Sequence, residues 1–223
     1  MNGEKHVAFN IGTWVVEVHG SMPTMITPRI DRMITRVQNS IFYGGEVRSW
    51  NNSGTCIFLP APDNDVIFVF THFIKHFLRT EGVGLRQICD WCRLLWTYRE
   101  TLNYILLESR IKEAGLVSEW RAFAALAEDW LGMPVEAMPL YSDSKCWKRK
   151  ASRILACILE TGNFGHNRDN SFYQSQSLIK RKAMSFWRQT KDSFRHLFIF
   201  PGHTIFIWFR TIVMGFWAVF RRE

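Results

Sequence analysis

Apolar residues recur with a helical period from residue 63 almost to the end of the chain, while the first sixty residues hold only short β-rich runs. An apolar stripe near every 3.6 residues has to be buried against a neighbour, so the chain needs a helical core. Strands this few do not make a well-covered sheet by themselves. The fold class that follows is α+β, with the helical portion larger than the sheet portion.

The start reads as a hairpin: a β-rich run over 5–10, a turn at Ile11-Gly12, then TWVVEVH over 13–19. A helix over 28–40 places Ile30, Met33, Ile34, Val37 and Ile41 on one side and ends at Gly44-Gly45. Asn51-Asn52-Ser53-Gly54 is a turn before a short strand over 55–59. Asp63 reads as the N-cap of a helix over 64–79. Further helices are expected over 84–98, 102–114, 117–131, 145–160, 174–197 and 203–220, with a polar loop at 162–171. Three regions follow: 1–60, a β/α element; 61–161, a helical domain; and 162–223, a loop with a basic amphipathic tail.

Charge divides the chain. Residues 1–144 carry 13 Lys/Arg and 16 Asp/Glu, net −3, whereas 145–223 carry 15 and 4, net +11. A basic tail addresses membranes, nucleic acid or acidic partners. Aromatics, at 15% of the chain, exclude a disordered polymer. An odd count of five cysteines argues against a disulfide framework, and MNGEKHVAFN has neither the charge nor the apolar run of a secretory signal. The expected location is cytoplasmic, with peripheral attachment to the inner membrane surface.

Two stretches, Val15-Val16-Glu17-Val18-His19 and DVIFVFTHFIKHFLRTEGVGLRQICDW over 65–91, resemble an uncharacterised bacterial nucleotidyltransferase family. TGNFGHNRD (161–169) and KDSFRHLFIFPG (191–202) are similar to one branch of it. The resemblance implies a partial nucleotidyltransferase-like β element, then a helical domain. It implies Mg2+-dependent transfer of a nucleotidyl group from an NTP to an unknown acceptor. Glu17 would be the third metal-binding, catalytic carboxylate, with His19, His72, His76, Arg86, Asp90 and Arg168 as substrate-binding residues. The family's Gly-Ser turn and the Asp-x-Asp strand after it do not occur ahead of Glu17, and the acidic pair Asp63-Asn64-Asp65 sits at a helix start. One carboxylate does not hold a pair of metals, so the expected chain is a family member without that half, with little or no transfer activity.

The same residues have plainer readings. Glu17 shares a strand face with Thr13, Val15 and His19 and could be solvated. His72 and His76 share a helical face with Asp65, Lys75 and Arg79; the spacing suits a two-histidine metal pair, although no Glu directly follows the first. Arg86 and Asp90 form an i, i+4 pair. Cys89 and Cys92 fall in the apolar arc of their helix, which favours a core position over zinc. The 162–169 loop is not a P-loop, because no Gly-Lys-Ser/Thr follows.

In 204–220, TIFIWFRTIVMGFWAVF, one half-circle holds Ile205, Phe206, Trp208, Phe209, Ile212, Val213, Phe216, Trp217, Val219 and Phe220. Thr204, Arg210, Thr211, Gly215, Arg221 and Arg222 lie opposite, together with Ile207, Met214 and Ala218, so the polar face is imperfect. A central Arg costs about 2.5–3.5 kcal/mol on insertion scales, which weighs against spanning a bilayer. The amphipathic pattern beside Lys180-Arg181-Lys182, Arg188, Lys191 and Arg195 suits an anionic membrane surface, with Phe206, Phe209, Phe216, Trp217 and Phe220 facing it. Docking onto a protein partner is the alternative. Nucleic acid is not expected, since no recognised binding motif accompanies the basic residues.

Overall fold

The computed structural model describes residues 6–19, 24–79, 81–165 and 178–220. It is α+β, with two small antiparallel hairpins and a larger set of helices. Strands β1 (His6–Ile11) and β2 (Trp14–His19) pair with His6 opposite His19 and Ile11 opposite Trp14. The turn falls at Gly12-Thr13, one residue later than expected. The register puts Val7, Phe9, Ile11, Trp14, Val16 and Val18 on one face, and all but the half-buried Val16 are exposed. That hairpin is amphipathic with its apolar side open.

Helix α1 (Pro28–Phe42) follows, with Thr27 capping the Ile30 N–H and Ile30, Met33, Ile34 and Val37 buried as the spacing requires. It runs two residues past the expected end. The second hairpin joins β3 (Val47–Asn52) to β4 (Thr55–Pro60). The sequence reading placed only the second of these strands, because VRSWNN has no apolar alternation to betray it. Arg48 fastens this hairpin, donating to the Pro60 carbonyl at 3.0 Å, to Asp65 at 2.6 Å and to the Tyr98 hydroxyl. Burial pushes the Asp65 carboxyl up, against the lowering effect of the Arg48 charge.

Helix α2 (Pro62–Leu78) is the centre of the core. Its N-cap is Ala61 with Pro62 at the first position, so Asp63 is not the cap. Asp63 instead accepts the Asn103 N–H at 2.7 Å, at the start of α4 (Tyr104–Ala114). Phe70 and Phe73 meet Trp91 of α3 (Leu85–Tyr98) and Phe123 of α5 (Val117–Leu131), with ring centroids 5.1–6.4 Å apart. Trp120 stands 4.5 Å from Phe70, and its indole N–H donates to the Pro139 carbonyl at 2.6 Å. Each such side chain contributes about 1.5–3 kcal/mol by burial. Helix α6 (Lys145–Thr161) packs on α5 through Ala151, Ile154 and Ile158.

Helices α7 (Leu178–Leu197) and α8 (Pro201–Phe220) form a helical hairpin joined by a short turn. Phe200, in that turn, is buried and stacks over Phe123. One continuous buried cluster therefore runs from Ile26 to Ile207. Among the described residues, no helix is long and apolar enough to cross a membrane.

Candidate functional site

Helices α7 and α8 turn their apolar sides outward. Among the described side chains of α8, Thr204 and Ile207 are buried, and Arg210 and Thr211 are half-buried beside them. Arg210 donates to the Met25 carbonyl at 2.6 Å, and His203 Nδ1 lies 2.8 Å from Glu119 Oε1. Its exposed large apolar residues, among those described, are Ile205, Phe206, Phe209, Val213 and Met214. On α7, Ser193 and His196 face inward, and His196 stacks on Phe77 at 4.5 Å and 16°. Phe186, Trp187 and Phe194 face outward, with Phe198 in the turn beside them. Trp187 is 73% exposed and Phe209 64%, values that a water-soluble helix face would give to charged residues.

Between the two helices lies an open apolar cavity of about 170 Å³, lined by residues including Phe194, Leu197, Ile205 and Trp208. Cations flank it. Lys180, Lys191 and Arg195 are exposed, and Arg195 pairs with Glu160 at 2.6 Å. Arg153 donates to the Phe198 carbonyl at 2.9 Å, holding the turn to α6. The hairpin is thus fastened to the core by these polar groups together with the buried Ile199, Phe200 and Ile207, and its outward apolar surface remains available.

The remaining expected site residues are scattered. Glu17 sits opposite Ala8 and His19 opposite His6 in the first hairpin. Arg86 and Asp90 are exposed on α3; the ion pair their spacing predicted does not form, and among the described residues neither side chain makes a hydrogen bond or ion pair. Arg168 lies outside the described residues. Phe206 and Phe209 are exposed, while the side chains of Phe216, Trp217 and Phe220 fall outside those described. Cys92 is buried as expected, and burial pushes its thiol up to about 12, with Cys89 adding to the shift. Cys89 is a correction: it is exposed, because the packing of α3 covers Ile88, Trp91, Cys92 and Leu95 but stops short of it.

His72 and His76 do come together. Their Nε2 atoms are 3.3 Å apart and their rings 4.7 Å apart, with Glu81 Oε2 2.5 Å from His76 Nδ1. Among the described residues, no group of three or more His, Cys, Asp or Glu side chains is placed to hold a metal ion.

The two glycine stretches singled out in the sequence also meet. A Cβ on Gly82 would lie 2.5 Å from the Gly165 nitrogen and 2.8 Å from the Gly162 oxygen, and one on Gly84 would touch Asn163. Gly82 has φ +96°, which itself favours glycine. The spacing Gly82-x-Gly84 is accounted for by this close approach.

Sequence reasoning missed the Glu119–His203 pair. Its one signal was a carboxylate within the otherwise apolar inner face of 117–131. Glu81 was also missed, since it lies in the turn after α2. No family model matches the chain, and neither does any curated protein or solved structure.

Proposed function

We propose that this chain is a peripheral docking module whose α7–α8 hairpin lies on an anionic membrane surface. The carrying observation is the inverted packing of α8: Thr204, Arg210 and Thr211 turn toward the protein, and Ile205, Phe206 and Phe209 turn away from it. Burying each exposed aromatic or aliphatic side chain in the interface contributes about 1.5–3 kcal/mol. Each nearby Lys or Arg adds about 1 kcal/mol at an anionic surface. Apolar insertion therefore dominates the affinity, and the +11 charge of 145–223 selects the lipid. Arg210, tied to Met25, holds α8 along the protein.

Co-sedimentation with vesicles tests this. Binding is expected to vesicles containing phosphatidylserine, to weaken with salt, and to be lost in the double variant Phe194→Glu/Phe209→Glu. Glu17→Ala leaves it intact. A wild-type chain that stays in the supernatant with anionic vesicles and self-associates in sedimentation velocity would replace the lipid by a protein partner.

Nucleotidyl transfer is the second reading. It is favoured by the contact between Gly82–Gly84 and residues 162–165, which joins two of the stretches that carry the resemblance. In that reading Mg2+ and an NTP are the cofactor and donor, and Glu17 is a metal ligand. The chain alone is expected to transfer little or nothing. Metal-dependent incorporation of labelled NTP that Glu17→Ala abolishes would reverse the ranking of the two readings.

A further inference from the structure

The last two turns of α2 carry a second chemistry, independent of the membrane surface. His72 is exposed, and the His76 side chain is 14% exposed. Spacing i, i+4 stacks them on one helix face, with Nε2 to Nε2 at 3.3 Å. Glu81 Oε2 takes the other nitrogen of His76 at 2.5 Å, and Glu81 Oε1 is held by Arg79 Nε at 3.0 Å. With Glu81 on Nδ1, the Nε2 of His76 is the nitrogen turned toward His72.

Either one proton or one metal ion fits between the two nitrogens. A tetrahedral ion with bonds of about 2.0–2.1 Å holds its imidazole ligands about 3.3–3.4 Å apart. The observed separation matches, so the helix already spaces the two nitrogens as such an ion requires. A carboxylate on the far nitrogen of a ligating histidine is the arrangement that fixes ring orientation and raises its basicity. Imidazole nitrogens suit zinc, nickel or copper, whereas Mg2+ prefers oxygen.

We propose that His72 and His76, with Glu81 as the positioning residue for His76, form a two-histidine site for a borderline divalent ion such as Zn2+. Among the described residues these two histidines are the ligands, and water or a ligand from solution would complete the coordination. Lys75 and Arg79 share this helix face and oppose the ion's charge, so the affinity is moderate rather than structural in strength.

Calorimetric titration of the full chain with Zn2+ tests the site. One ion per chain is expected. His72→Ala and His76→Ala should each weaken binding about tenfold or more, and Glu81→Gln by a similar factor. The variant Cys56→Ser/Cys89→Ser/Cys146→Ser, which removes the exposed thiols, should bind as the wild type does. His72 is exposed, so its replacement keeps the fold, and an unchanged circular dichroism spectrum verifies that. The proposal is overturned by no heat of binding at high micromolar Zn2+, by unchanged affinity in His72→Ala, or by loss of binding in the cysteine variant.

Discussion

Helices α5 and α8 have reversed fates. Helix α5 carries Glu119, Arg121, Glu128 and Asp129, yet most of its length from Glu119 to Ala127 is buried. Helix α8 has one Lys, Arg, Asp or Glu among its twenty residues, yet Ile205, Phe209 and Met214 lie open. Hydrophobicity alone does not decide burial. Helix α5 meets aromatic partners on α2 and α3 and keeps Arg121, Glu128 and Asp129 at the rim, while its buried Glu119 meets His203. Helix α8 is attached through His203 and Arg210, which leaves its apolar stripe on the far side.

Truncation should separate the two most sharply. Phe123→Ala, in the core, is expected to cost about 3–5 kcal/mol in urea unfolding. Phe209→Ala should change stability within about 0.5 kcal/mol while weakening vesicle binding. Equal stability losses at the two positions would mean that α8 is packed as a core helix. Next in size is Gly82→Ala, at the joint between the inner helices and residues 162–165. Its left-handed backbone alone predicts a loss of about 1–3 kcal/mol, and the short approach to Gly165 adds to that. A thermal melt unchanged by this substitution would show that the joint yields.

A smaller effect is expected from pH. Hydrogen bonds from Asn64 and Ser40, then the Arg110 charge, hold the Glu46 carboxyl below its ordinary 4.5. A lowered carboxylate stabilises the fold above that value, and the contribution is lost as pH falls through the folded-state pKa. Urea midpoints between pH 6 and 3 should therefore fall less steeply in Glu46→Gln than in the wild type. The smallest perturbation is chemical: alkylation at pH 8 should label Cys56, Cys89 and Cys146 and spare Cys92, whose thiol stays protonated. Rapid labelling of Cys92 would mean that α3 is loosely held.

Local rules read the inner helices well. The limits of α5 were legible to the residue, because its apolar period and Gly132 mark them. They failed where a partner distant in sequence decides. Asp63 has the residue type of a cap, but its acceptor capacity goes to Asn103, forty positions on. The stripe on α8 was visible, whereas its outward direction depends on Glu119 and Met25. Cys89 sits at the edge of an apolar arc whose coverage is set by the neighbouring helices. Of the candidate site, the closeness of His72 and His76 followed from spacing, and the Glu81 contact did not.

The Arg210 bond to the Met25 carbonyl spans 185 positions. It turns an open string of helices into a closed ring. Contacts between α2 and α3 or α5 and α6 join neighbours and can form early, but ring closure carries a loop entropy that only a nearly finished structure offsets. The hairpin should thus be the last unit to lock and the first to release. In pulse-labelled hydrogen exchange during refolding, protection of residues 201–214 should lag behind that of 117–131.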